Sequence, residues 1–217
     1  MQGNSAATLA DYLRGIRPGE DIVIEYTPYE PAHLLLHRLL ECLEEIGQPF
    51  VIVDELDHLH IFRTHLKLSG LSTALIDSAR VIKMGGALST GRVVGRIDLS
   101  KELPIRKKTY EEVVKRMGDR YTIRIVLGFD KVLAMNENSP KELERLFRYM
   151  IRPHMGDESR STLYFINTSL LSTRTLMELR EHASRILQFE LREKRMILKV
   201  VKSIDFSEYG MELDIAG

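Results

Sequence analysis

Tryptophan is absent from this 217-residue chain, and cysteine occurs once, at Cys42. A single thiol excludes a disulfide framework. On an apolar stretch of helix it reads as a small buried hydrophobe, and a reduced cytosolic setting is the expectation. There is no apolar run near ~18 residues, so no membrane-spanning helix is expected. The opening MQGNSAATLADYLRG lacks the basic and then apolar layout of a secretory signal. Neither sign of charge is in excess: Lys plus Arg and Asp plus Glu number 31 each. Tight polyelectrolyte binding leaves a basic footprint, so nucleic acid is not the expected partner. The missing Trp and the many ion-pairing residues are compatible with a thermophilic source. No repeat, low-complexity tract or linker divides the chain. It reads as one domain over residues 1–217, able to bury about 70% of its unfolded surface.

What is present is alternation. Residues 7–15 read as a short helix ended by Gly15 and Pro18-Gly19. Ile22–Tyr26 is an apolar strand, and Ala32–Ile46 a helix with Pro31 at its start and Gly47 beyond its end. Phe50–Val53 is a second strand, followed by a helical stretch through His65 and Leu68. Arg80–Met84 is a third strand, stopped by Gly85-Gly86, and Arg92–Ile97 a short one beside it. Thr109–Met117 reads as helix and Thr122–Leu127 as strand. Ser139-Pro140 opens a helix to about Met150, with Ser139 as N-cap. Leu163–Ile166 is a strand and Thr173–Ala183 a helix. Ile186–Leu191 and Met196–Val201 then form an antiparallel hairpin across Arg192-Glu193-Lys194-Arg195. Short apolar strands alternating with helices imply right-handed βαβ crossovers and a three-layer α/β fold, its sheet mostly parallel.

The stretch DIVIEYTPYEPAHLLLHRLLE, residues 21–41, has the outline of a phosphate-binding loop: strand, turn, helix. A working loop reads G-x-x-x-x-G-K-[ST], its glycines letting backbone N–H groups curl around phosphates while the Lys neutralises charge and the hydroxyl holds magnesium. Laid without a gap, Tyr26 stands for the first glycine, Pro31 for the second, Ala32 for the lysine and His33 for the hydroxyl residue. Pro28 and Pro31 lack an N–H, Tyr26 cannot take glycine's backbone conformations cheaply, and Ala32 carries no charge. Glu30 is expected at the helix N-terminus, where its carboxylate complements the dipole and repels phosphate. No cofactor is expected at this loop.

The order of segments resembles RecA/KaiC-type ATPase domains. GIRPGEDIVIEYTPYEPAHLLLHRLLE is similar to their opening, PFVIVDEL lies where the family ends a strand in a water-activating carboxylate, and YTIRIVLGFDKVL resembles the Walker B strand. STLYFINTSLLS and LMELREHASRILQFELREKRMILKVVKS resemble the following sensor strand and terminal strand pair. The resemblance implies a RecA/KaiC-like P-loop NTPase fold over about residues 10–205, in an archaeal group whose Walker A loop is degenerate. By position it implies that Asp54 or Glu55 stands for the water-activating acid and Asp130 for the metal-linked acid. Lys202 fits the family's Lys-x-Arg pair, but Ile204 stands at the arginine.

Other constellations are weaker. His33 and His37 share a helix stripe with Glu41 and Glu44, and His58, His60 and His65 follow three acids. The spacing is not that of a zinc site, so no metal is expected. Asp54, Glu55 and Asp57, with Asp130, lie at the carboxyl ends of strands, the ligand edge of an open α/β sheet. They read as helix caps and solvated acids or as a residual acidic site. Arg106, Lys107, Lys108, Lys115, Arg116, Arg120 and Arg124 are interrupted by Glu111, Glu112 and Asp119 and read as a salt-bridged face. Met211, Leu213 and Ile215 alternate with acids, as an edge strand or a frayed tail. The expectation is a non-catalytic interaction or assembly module with a protein or peptide partner, a homo-oligomer by analogy with RecA-type association. The alternatives are a nucleotide or metal binder using Asp54, Glu55 and Asp130, and a nucleic-acid accessory protein.

Overall fold

A computed structural model describes residues 8–118 and 121–215. Its helices are α1 (Leu9–Arg14), α2 (Ala32–Glu45), α3 (His58–Leu68), α4 (Ala74–Ser78), α5 (Leu103–Met117), α6 (Phe129–Asn136), α7 (Pro140–Leu146) and α8 (Thr173–His182). Its strands are β1 (Asp21–Tyr26), β2 (Phe50–Glu55), β3 (Arg80–Met84), β4 (Arg92–Ile97), β5 (Thr122–Leu127), β6 (Arg160–Asn167), β7 (Arg185–Arg192), β8 (Arg195–Lys202) and β9 (Glu212–Asp214). They form one sheet in the order β4-β3-β2-β5-β6-β1-β7-β8-β9. Every pairing from β4 to β7 is parallel, while β7–β8 and β8–β9 are antiparallel. This is the expected three-layer α/β architecture with its terminal hairpin.

Parallel strands covered on both faces must be apolar on both. Ile22, Ile24, Ile123, Ile125, Leu163 and Phe165 pack with α1 to α4 on one side. Val23, Val51, Val53, Val126 and Tyr164 pack with α5 to α8 on the other. The leucines of α2 explain its position: Leu35, Leu36, Leu39, Leu40 and Leu43 are buried, each contributing roughly 1.5–3 kcal/mol by leaving water. Cys42 is buried among them, as its setting implied.

Several element limits differ from the sequence reading. α5 starts six residues earlier than Thr109, because Pro104 occupies its first turn and Leu103 is buried. α6 was not foreseen. Gly128, at φ +84, turns the chain straight from β5 into it. A Cβ at Gly128 would stand 2.3 Å from the carbonyl oxygen of Glu55, so only glycine fits. Ser139 caps α7 as expected, its hydroxyl accepting the Glu142 N–H at 3.4 Å. The helix to Met150 is not uniform: after Leu146 it continues as a π-turn, Phe147–Ile151, and a 3-10 turn, Arg152–His154. The hairpin turn places both Glu193 and Lys194 at positive φ, the pattern that matches strand twist. The tail is an edge strand in its own chain: β9 pairs with β8, and Leu213 and Ile215 are buried.

Candidate functional site

The carboxyl ends of β1, β2, β5 and β6 form the edge where an α/β sheet binds ligands. At the end of β1, Tyr26 is buried, packed edge-on to Phe62 and Phe165 with ring centroids 6.5 Å apart. Its hydroxyl lies 3.3 Å from Nε2 of His58, and burial pushes both groups toward neutrality: the phenol is raised and the imidazole lowered to about 4. The tyrosine ring thus fills the space at the end of β1.

The following loop closes on itself. The Glu30 carboxylate accepts the Thr27 N–H at 2.5 Å, and the Glu30 carbonyl accepts the Ala32 N–H at 2.8 Å. Glu30 stands just before the N-cap of α2, and its carboxylate turns back to Thr27. Pro31 is the N-cap of α2, with no side-chain cap bond. Pro31 has no N–H, and Ala32 is buried and apolar. His33 stacks edge-on with His65 at 5.3 Å rather than joining His37, and His37 contacts Glu41 at 3.3 Å.

The acids of β2 separate by strand alternation, Asp54 and Glu55 pointing to opposite faces. Asp54 is fully buried. One oxygen accepts the Leu59 N–H at 2.8 Å, capping the first turn of α3, and the other meets Lys83 Nζ at 2.6 Å. The same ammonium reaches Asp57 at 2.6 Å. Leu56 and Asp57 both sit at positive φ, a sharp turn that costs energy for non-glycine residues. Asp57 offsets it by also accepting the N–H groups of Ala87 and Leu88 at 2.9 Å. Burial works against its charge, but Lys83 and these N–H groups outweigh that and hold the carboxyl at about 2. Asp57 is thus held by β3 and its following loop, and Asp54 supplies the cap. Lys83 is the residue that sequence reasoning missed; a lone lysine inside the strand RVIKM was the signal, since a buried charge demands a partner.

Glu55 lies on the other face with no partner for Oε2. Burial, with Asp130 and Asp54 nearby, raises its carboxyl to about 8. Asp130, in the first turn of α6, accepts the N–H groups of Lys131 and Asn167, both at 3.0 Å. Burial raises it too, against the pull of those two bonds. Among the described residues no group of three or more His, Cys, Asp or Glu could hold a metal ion.

Beside the loop, between β1 and β7, lies a cleft of about 200 Å³ whose lining includes Glu25, Glu30, Thr168, Arg180, Gln188 and Glu190. Its guanidinium is committed: Arg180 forks onto Glu25 at 2.6 and 2.7 Å. Lys202 donates to the carbonyls of Arg180 and Glu181, closing the end of α8 rather than facing the cleft with a free charge. Within the basic segment, Lys107 pairs with Glu111 at 3.6 Å on the surface. Arg124 does not belong to that face; it is buried and donates to the Tyr110 hydroxyl at 2.9 Å. No helix is long and apolar enough to cross a membrane among the described residues.

A family model described as "Pyrococcus protein of unknown function, DUF257" matches residues 11–214, and the chain belongs to that family. Among solved structures it is similar to the protein of Project ID PH0250 from Pyrococcus horikoshii OT3, with 27% identity and a TM-score of 0.83 over 97% of this chain and 100% of that one. It is similar to the KaiC-like protein PH0186 from the same organism, with 14% identity and a TM-score of 0.61 over 92% and 87% of the two chains. It is also similar to the uncharacterized protein PH0321 from Pyrococcus horikoshii, solved with an unknown peptide, with 15% identity and a TM-score of 0.57 over 87% and 86%. No curated protein matches it. The fold is therefore KaiC-like.

Proposed function

We propose that this chain is a non-catalytic KaiC-like domain whose phosphate loop is degenerate, and that it works as a protein- or peptide-binding module. The observation that carries the reading is the closure of the loop after β1. The Glu30 carboxylate takes the Thr27 N–H that a phosphate would compete for, while two prolines remove further donors. A phosphate approaching the adjacent cleft meets Glu30 and Glu190, and Arg180 is already paired with Glu25. What remains is a small polar cleft at the ligand edge of the sheet. That PH0321, of the same fold, was solved with a peptide is consistent with such a use.

The test is a displayed peptide library panned against the purified chain, with affinity read by fluorescence anisotropy. The reading expects a micromolar ligand whose binding is lost on Gln188→Trp, which fills the cleft from an exposed position. No enriched sequence, or binding untouched by that variant, overturns it. Homo-oligomeric assembly is part of the same proposal. A mass measurement of the purified protein reads it directly, and a monomer at micromolar concentration removes it.

A further inference from the structure

Away from the cleft, six buried side-chain atoms on the α5–α8 face of the sheet have no hydrogen-bond partner among the described residues. They are Asp21 Oδ2, Glu55 Oε2, Arg124 Nε, Arg160 Nε and Nη2, and Thr162 Oγ1. Register brings most of them together. Thr162 of β6 is paired with Asp21 of β1 on one side and with Arg124 of β5 on the other, and Arg160 lies two residues earlier on the same face. Against them is a cavity of about 30 Å³ whose lining includes Glu55, Tyr110, Met150, His154, Arg160 and Thr162.

Arg160 is only 3% exposed. The one carboxylate within 4.0 Å of it among the described residues is Asp157, whose Oδ2 stands 3.9 Å from Nε, too far for a hydrogen bond. Asp21 is the internal counter-charge: it is paired with Thr162 in the β1–β6 register, and its carboxyl is acted on by the Thr162 hydroxyl, short of full hydrogen-bond geometry, and then by the charges of Arg160 and Arg124. A buried guanidinium edge without an acceptor is costly, and native proteins seldom leave one. Three other arginines of the fold show what that edge can take. Nε and Nη2 of Arg180 fork onto Glu25, those of Arg185 onto Glu20 at 2.6 and 3.1 Å, and those of Arg63 onto Asp77 at 2.6 and 3.1 Å. In each case the partner is an oxyanion with two oxygens, the geometry for which the guanidinium fork is suited.

We propose that Arg160, with Thr162 and the neighbouring Arg124–Tyr110 pair, is a receptor for a small oxyanion, a carboxylate or a phosphate. Two oxygens of the ion lie on Nε and Nη2 of Arg160, and the Thr162 hydroxyl turns from the Asp21 carboxyl beside it to donate to the ion. The cavity has the volume of about one water. The ion therefore seats by displacing Met150 and His154, which ride on the π-turn and the 3-10 turn, the irregular segment of this face. This site is independent of the cleft between β1 and β7 and of any peptide bound there.

The experiment titrates the full chain with sodium phosphate and, separately, sodium acetate, at ionic strength held constant with sodium chloride. Arginine Nε–H resonances are followed by NMR and thermal unfolding in parallel. The proposal expects a saturable shift of one Nε–H resonance, absent from Arg160→Lys, and a rise in Tm that follows the same saturation. Arg160→Lys keeps the charge and loses the fork, so ion affinity falls about ten-fold or more, the worth of a charged hydrogen bond. Should that variant fail to fold, Thr162→Val removes a single donor at similar volume and is expected to weaken the ion several-fold. A response to either ion supports the site, and which one acts identifies the source chemistry. Equal stabilisation by chloride alone, no saturable response, or affinity unchanged in the variants overturns it.

Discussion

Replacing Glu55 with glutamine tests whether the acid of β2 is held neutral by burial. Its carboxyl is buried, Oε2 has no partner, and its pKa is raised from 4.5 to about 8. The sign follows from linkage. Between pH 4.5 and 8 the unfolded chain has lost this proton while the folded chain keeps it, so stability falls as pH rises through that window and levels off above it. With these two values the wild-type penalty is roughly 1 kcal/mol at pH 5, roughly 3 at pH 7 and approaches 5 above pH 8. The amide does not titrate, so any constant packing cost of Glu55→Gln cancels from the slope. Urea unfolding of both proteins at pH 5, 7 and 9 reads the difference. The variant should gain on the wild type by roughly 4 kcal/mol between the ends of that series. A gap that stays constant with pH refutes the neutral, buried acid.

Lys83→Met leaves Asp54 buried without its counter-ion and should cost roughly 3–5 kcal/mol in the same assay, with Lys83→Met/Asp54→Asn recovering a large part of it. A loss below about 1 kcal/mol shows that the pair is solvated like a surface bridge. Leu213→Ala should cost roughly 2–5 kcal/mol, because Leu213 is fully buried in the edge strand. If unfolding is unaffected, β9 is not part of the cooperative fold.

The fold was legible where each strand is a short apolar run bounded by turn residues, as in Ile22–Tyr26 and Thr122–Leu127. α6 was hidden because Gly128 reads as a stop, yet its left-handed φ makes it a corner that starts a helix only when Glu55 lies against it. The alternation of Met211, Leu213 and Ile215 left an edge strand and a frayed tail both open, and the pairing with β8 in the same chain decides for the strand. The acids at the strand ends were found by position; their state was not. Asp54 looked like a solvated acid because its neutralising lysine is 29 residues away and meets it only through the β2–β3 register. Arg124 looked like a member of a surface charge run, since sequence does not say which face of a strand meets a helix. The residue types at Tyr26, Pro31, Ala32 and His33 are read from sequence alone. The turn of Glu30 back to Thr27 needed the loop's path.

The proposed degenerate loop predicts that this KaiC-like fold does not hold a nucleotide phosphate. Isothermal titration calorimetry of the purified chain with Mg-ATP addresses it directly. With the loop closed by Glu30 and the guanidinium of the cleft committed to Glu25, the expected result is no saturable heat with Mg-ATP. Micromolar binding that disappears on Glu30→Gln or Asp130→Asn contradicts the claim.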